Sequence, residues 1–274
     1  MGKLKNFLLR TLTGLVFIAI IITSILWNPY SFVAVFLLIT LVGLFEFYRM
    51  VRKPGEIDVS IAVGLTGGFI LFVSSFLHTY FESVPPVAYS VYALFVIAVF
   101  LAELFRKKPQ PLNNWAYFFL GQIYVALPFS LLNYIIFING FQPWLLLALF
   151  ITLWFNDTGA YMVGVTLGRN KLFERISPKK TWEGFIGGVL FALLSGYLHS
   201  LFIPDIVLWK WLLFGALVAI FGTLGDLSES LLKRTLNVKD SGQIMPGHGG
   251  ILDRFDSMLL IAPMILIFYN LVLG

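Results

Sequence analysis

Nine stretches of this chain are long and apolar enough to cross a bilayer, which leaves little room for any other kind of fold. A hydrocarbon core about 30 Å thick is spanned by about 20 apolar residues of helix. The stretches cover residues 11–28, 31–48, 59–79, 86–105, 114–139, 144–168, 184–203, 207–227 and 255–273. Composition agrees: 59% of the residues are hydrophobic and 12% charged, against about 25% charged in an ordinary soluble domain. The expected fold class is therefore all-α, a polytopic integral membrane bundle of about nine transmembrane helices. Pro128 predicts a kink in the fifth span, which reads as one kinked helix or as two short re-entrant pieces. The first span reads as retained, because no small-residue cleavage site follows Leu26 and Trp27-Asn28-Pro29 leads straight into the next span.

The basic residues orient the bundle. With the N-terminus in the cytosol, 18 of the 19 lysines and arginines fall in cytosolic segments, and only Lys210 falls outside. Cytosolic loops carry such an excess. The C-terminus is then external, and the chain is expected in the cell inner (cytoplasmic) membrane. The net charge of +5 is no sign of nucleic-acid binding, since the bases sit between apolar spans. Cysteine is absent, which excludes disulfides, thiolate metal sites and cysteine nucleophiles. Residues 1–145 read as scaffold helices with an interface role. Residues 146–274 read as the catalytic region, with cytosolic loops 169–183 and 228–254.

Residues 226–256 are the richest in chemistry. They hold Asp226, Ser230, Lys233, Arg234, Lys239, Asp240, His248, Gly249, Gly250, Asp253, Arg254 and Asp256. Asp226 closes the eighth span. Asp253 and Asp256 open the ninth at i, i+3 spacing, which puts them on one helical face. Three carboxylates suit a hard divalent cation, since Mg2+ takes oxygen ligands from one or two carboxylates plus substrate phosphates. An acid at a helix start has an ordinary explanation in the helix dipole. That explanation does not serve Asp226, expected at the C-terminal end of its helix. The bases read equally well as membrane anchors, and His248 alone is weak evidence. The Gly249-Gly250 pair permits close backbone approach to a ligand. Asp157 lies about 20 Å into the sixth span at 1.5 Å per residue, and an acid at such depth marks a functional site by default. Gly164 and Gly168 read as a helix-packing pair.

The run Ser230-x2-Lys233-Arg234-x4-Lys239-Asp240-x-Gly242-x3-Pro246-x-His248-Gly249-Gly250-x2-Asp253-Arg254-x-Asp256 resembles the signature of the phosphatidate cytidylyltransferase family. Asn156-Asp157-Thr158-x-Ala160-Tyr161 and Ser177-Pro178-Lys179-Lys180-Thr181-x-Glu183-Gly184 resemble two further motifs of that family. The resemblance is specific over roughly 150–260. It implies attack by the phosphatidate phosphate on the α-phosphorus of CTP, with release of pyrophosphate, at the cytosolic face of the bilayer. Together these readings make Asp226, Asp253, Asp256, Lys233 and Arg234 the catalytic set. Asp226, Asp253 and Asp256 are the metal ligands, for Mg2+ or Mn2+, with a second cation compatible. Asn156, Asp157, Lys179, Lys180, Thr181, Glu183, Ser230, Lys239, Asp240, His248, Gly249, Gly250 and Arg254 are the substrate-binding set. Thr181 and Glu183 order the turn into the seventh span. CTP, phosphatidic acid and the bilayer are the expected partners; a homodimer is compatible with the sequence.

Two other classes compete. A CDP-alcohol phosphotransferase shares the Asp253–Asp256 spacing but needs an upstream Asp-Gly element that this sequence lacks. A secondary transporter predicts internal repeats and charges dispersed among helices, and neither is found. The topology is checked by fusing a reporter to the C-terminus: activity outside the membrane is expected, and activity only in the cytosol overturns the nine-span reading.

Overall fold

A computed structural model describes residues 2–81, 84–137, 140–244 and 249–273, with side chains from Thr11 onward. The helices are α1 (Gly2–Trp27), α2 (Pro29–Val51), α3 (Ile61–Tyr80), α4 (Ala88–Arg106), α5 (Pro111–Gly121), α6 (Leu127–Phe137), α7 (Pro143–Leu167), α8 (Trp182–Phe202), α9 (Leu208–Thr235), α10 (Leu252–Phe255) and α11 (Met258–Phe268). Among the described residues, eight helical stretches are long and apolar enough to cross a membrane. The first expected span lies in α1, whose described apolar part, Thr11–Trp27, is shorter.

Three features depart from the sequence reading. Residues 169–183 are more than a turn: they form an antiparallel hairpin of β1 (Lys171–Phe173) and β2 (Ser177–Thr181). The eighth span does not end at 227 but continues as helix to Thr235. Asp226 therefore sits within α9 and not at its end, and the dipole argument does not apply to it. The extension is locally favourable: Lys233 donates to Glu229 one turn earlier, and Lys233 and Arg234 place positive charge in the last turn. Finally, the ninth span is interrupted, with Asp256 and Ser257 forming a turn between α10 and α11.

The fifth span is helical throughout, not two re-entrant pieces. Its middle, Gln122–Ala126, is a π-helical segment joining α5 to α6. Pro128 follows directly, and a proline lacks the N–H for the α-helical ladder and crowds the preceding turn. The wider π turn accommodates it, with the Leu127 N–H reaching Gln122 O.

The chain packs as two compact units, 1–142 with 236–255, and 143–235 with 256–274. In the first unit Tyr48 of α2 is fully buried. A Cβ at Gly64 or Gly121 would strike its ring, so two glycines make the slot that holds it. The Tyr48 hydroxyl donates to Phe118 O at 2.8 Å, and Gln122 Nε2 donates to the Tyr48 hydroxyl and to Gly64 O, each at 2.9 Å. Such bonds link helices in a bilayer, where lipid is as apolar as the helix faces.

Glu46, also on α2 and 2% exposed, gathers Ser241, Ile251 and Leu252. Its carboxyl oxygens accept from Ser241 Oγ at 3.2 Å, Ile251 N at 3.1 Å and Leu252 N at 2.9 Å. A Cβ at Gly242 or Gly250 would collide with the same carboxyl group. Glu46→Ala leaves these donors buried without an acceptor, at a cost of about 1–3 kcal/mol each before any rehydration. The variant is expected to melt at lower temperature in detergent and to expose residues 236–255 to limited proteolysis. An unchanged midpoint and cleavage pattern shows that the loop holds without Glu46.

Candidate active site

The second unit contains a cavity of about 230 Å3 between α7, the hairpin, α8 and α9. Its shape starts with glycine. A Cβ at Gly184 would lie 3.0 Å from Ala160 O and 3.2 Å from Gly164 Cα. At Gly187 it would lie 2.5 Å from Val163, and at Gly188 2.6 Å from Asn156 Oδ1. Helices α7 and α8 are thus in backbone contact, as small residues permit. Gly164 packs in this interface. Gly168 lies just beyond α7 and packs against Thr181 instead.

The hairpin is fastened to the start of α8. Thr181 caps that helix, its Oγ accepting from Gly184 N at 3.1 Å. The Glu183 carboxyl group accepts from Arg169 N at 3.1 Å, Asn170 N at 3.2 Å and Asn170 Nδ2 at 2.6 Å. Arg234 of α9 donates from Nε to Ile176 O at 3.5 Å, meeting the hairpin near its turn. These contacts set where β2 presents Lys179 and Lys180, both of which line the cavity.

Lys180 Nζ pairs with Asp226 Oδ2 at 2.6 Å, and Asp226 Oδ1 accepts from Ser230 Oγ at 3.2 Å. Lys179 is exposed and makes no ion pair with a described residue. Asn156 and Asp157 line the cavity from α7. Asn156 is 4% exposed, and its Oδ1 is buried without a hydrogen-bond partner among the described residues. Asp157 is exposed and accepts weakly from Asn156 Nδ2 at 3.4 Å.

Asp256 joins this group electrostatically, in range of Asp226, Lys180 and Lys233. Gly225 is the reason: a Cβ there would lie 2.7 Å from Asp256 O and 2.8 Å from Ser257 O, so its absence lets α9 abut residues 256–257. Asp256 thus lies within electrostatic reach of a second carboxylate and two lysines. Lys233 is partly committed, its Nζ 2.6 Å from the fully buried Glu229.

The remaining expected residues belong to the first unit. Asp253 Oδ2 accepts from Ser241 N at 2.9 Å and Gly250 N at 2.8 Å. The Gly249-Gly250 pair makes its close approaches to protein groups: Gly249, at φ +82°, faces Asp253, and Gly250 faces Ser241 and Glu46. Lys239, Asp240 and Arg254 are exposed. His248 lies outside the described residues.

Among the described residues no group of three or more histidine, aspartate or glutamate side chains is arranged to hold a metal ion. Asp226 and Asp256 nevertheless fit a magnesium-type donor set, which needs one or two carboxylates and completes its shell with phosphate and water. Asn156 lines the cavity, but its unmatched Oδ1 is buried on the side that faces Gly188.

Sequence reasoning missed Thr223 and Ser257, which line the cavity, Glu229, which holds Lys233, and Glu46, which holds Ser241, Ile251 and Leu252. Glu46 had a usable signal: it is an acid inside an apolar span, the criterion that singles out Asp157. Thr223 and Ser257 had none beyond their nearness to Asp226 and Asp256 in the sequence.

Residues 8–272 match the sequence profile of the cytidylyltransferase family. The chain is 35% identical over 262 residues to the phosphatidate cytidylyltransferase of Bacillus subtilis (strain 168), covering 93% of this chain and 94% of that protein. It is 51% identical over 118 residues to the phosphatidate cytidylyltransferase of Staphylococcus aureus (strain COL), covering 42% of this chain and 45% of that protein. The protein of the same description from Staphylococcus saprophyticus is 48% identical over 117 residues, with the same shares.

Gly184→Ala tests the architecture. Its methyl group must push α7 from α8, and overpacking of this kind costs about 1–3 kcal/mol. A lower melting temperature and a displaced hairpin are expected. A midpoint equal to that of the parent shows that the interface yields freely.

Proposed function

This chain belongs to the cytidylyltransferase family, and from that membership and its near full-length likeness to a phosphatidate cytidylyltransferase we infer that it transfers the cytidylyl group of CTP to phosphatidic acid, giving CDP-diacylglycerol and pyrophosphate. A phosphatidate oxygen bonds to the α-phosphorus of CTP. The bond from that phosphorus to the bridging oxygen of the β-phosphate breaks, and pyrophosphate leaves with the electron pair. The nucleophile is already an anion near neutral pH, so no activated side chain is required. What the reaction needs is charge neutralisation, because a phosphomonoester must approach a triphosphate.

The observation that carries the site assignment is the Lys180–Asp226 pair at the wall of a cavity that also receives Lys179 and Asn156. We propose that the phosphates bind in this cavity. Its volume, about 230 Å3, is below the roughly 300–1,000 Å3 of a whole small-molecule pocket, so the cytidine and the diacyl chains lie outside it. Lys179 meets a phosphate directly. Lys180 is held by Asp226 until anionic substrate competes for it. Asp226 and Asp256 would hold a magnesium ion, which when bound would neutralise phosphate charge; Asp253, the third expected ligand, belongs to the first unit. Asn156 and Thr181 orient the groups around it. Arg234 acts through the hairpin, and Lys233 through the field it adds near Asp256. The active site faces the cytosol, where CTP is supplied, while the lipid tails remain in the bilayer.

The test is incorporation of labelled CTP into phosphatidic acid by purified protein with and without magnesium. Turnover is expected only with the metal. Asp226→Asn and Asp256→Asn are expected to lower turnover at least about a hundredfold, since electrostatic groups of this kind contribute several kcal/mol. Lys179→Ala is expected to raise the KM for CTP more than it lowers kcat. Magnesium with CTP is expected to raise the melting temperature of the parent, by binding the native state, and to leave that of Asp226→Asn unchanged. Near-normal turnover and magnesium dependence in both aspartate variants would defeat the metal assignment while leaving the reaction itself standing.

A further inference from the structure

Glu229 is a buried carboxyl group that the proposed reaction does not use. It lies on α9 with no exposed surface. Its Oε2 accepts from Lys233 Nζ at 2.6 Å, one turn further along the helix, and the lysine side chain is itself 12% exposed. Stability does not explain a pair so placed. Taking both charges out of water offsets their attraction, and an apolar pair of similar volume often serves a fold as well.

The place of Glu229 on α9 is informative. Gly225, where the absent Cβ lets α9 abut residues 256–257, precedes Glu229 by four residues, about 6 Å along the axis at 1.5 Å per residue. Gly225, Glu229 and Lys233 follow at i, i+4 spacing and share one helical face. Helical side chains lean toward the N-terminus. Lys233 therefore leans toward Glu229 and, beyond it, toward Gly225 and Asp256, whose carboxyl group feels its charge. Lys180, in the same range of Asp256, is already bonded to Asp226 at 2.6 Å. The charges of Asp226 and Asp256 balance those of Lys180 and Lys233 when both acids are ionised. Glu229 adds one further negative charge and gives Lys233 the nearer carboxyl group along α9.

We propose that Glu229 is a positioning residue for the cation site: it holds the Lys233 ammonium back from Asp256, so that Asp226 and Asp256 stay open to a divalent cation while the lysine's charge remains in the field of the site. This role rests on the assignment of the cation to Asp226 and Asp256. Glu229 acts through Lys233 and binds neither metal nor substrate. Glu229→Gln keeps the shape and removes the charge. The released ammonium then turns to an ionised carboxylate and competes with the cation for it.

The experiment is titration of the purified full chain in detergent with Mn2+ alone, read by the loss of the free-ion EPR signal. The parent is expected to bind Mn2+ and Asp226→Asn to lose it. Glu229→Gln is expected to bind about tenfold more weakly, the order of one unit charge moved beside a dication at a protein's effective dielectric. Glu229→Asp keeps the charge and is expected to recover most of the affinity. The double variant Glu229→Gln, Lys233→Met removes both members of the pair and is expected to bind as the parent does, though turnover stays low without Lys233. A pair that serves packing alone predicts a lower melting temperature in Glu229→Gln with parental Mn2+ affinity, or a double variant as weak as the single one. Either result overturns the proposal. If Glu229→Gln does not fold, the double variant, which leaves no charge buried alone, decides: weakened binding overturns the proposal and parental binding upholds it. Equal binding by the parent and Asp226→Asn defeats the cation assignment itself. Loss in Asp226→Asn with parental binding in Glu229→Gln defeats the role of Glu229 alone.

Discussion

Hydrocarbon does not solvate polar groups, and the placement of nearly every buried polar side chain in this protein answers to that constraint. Glu46 and Glu103 are 2% and 7% exposed. Each has its donors supplied by the protein: backbone N–H groups and Ser241 for Glu46, Arg106 and Asn114 for Glu103. Gln122 does the same for Tyr48 and the Gly64 carbonyl. Asn156 Oδ1 and the Trp115 N–H are exceptions, buried and without a partner among the described residues.

Glycine is the second instrument. Between membrane helices there is no hydrophobic gain to be had over lipid, so affinity comes from close packing and short polar contacts. Gly184, Gly187 and Gly188 bring α8 onto α7, and Gly225 brings α9 onto residues 256–257. Each of these approaches positions something chemical: Thr181 and the hairpin lysines in the first case, Asp226 and Asp256 in the second. Gly242 and Gly250 serve a different end, letting backbone approach the buried Glu46 carboxyl group.

Particular elements show how far sequence reasoning reached. The transmembrane helices agree with the apolar stretches to within a few residues at most ends, and the departures are instructive. α9 runs to Thr235 because Glu229, Lys233 and Arg234 sustain a helix in which hydropathy falls but propensity and charge pairing do not. The hairpin at 171–181 escaped notice because its pairing, Lys171 with Thr181 and Phe173 with Ser177, leaves no clean alternation of apolar and polar residues to read. Within the site, Lys179, Lys180, Asn156, Asp157 and Asp226 were legible as motif residues or misplaced charges, and they do line one cavity. Glu46 was just as legible as a charge in an apolar span, yet nothing in the sequence names its partners.

The sequence by itself determined the class of protein, the helical stretches and the residues carrying charge into them. Transfer free energy accumulates residue by residue along a helix, and a short window therefore contains the whole signal. The family motifs are likewise local. Only the tertiary structure decided which charges meet. Ser241 and Leu252 reach Glu46 across 195 and 206 residues of chain, and Lys180 reaches Asp226 from another element. Those pairings depend on backbone separations set by Gly184, Gly225 and Gly250. A missing Cβ is visible in the sequence, but the atom that takes its place is not, because that atom arrives by packing from a distant part of the chain.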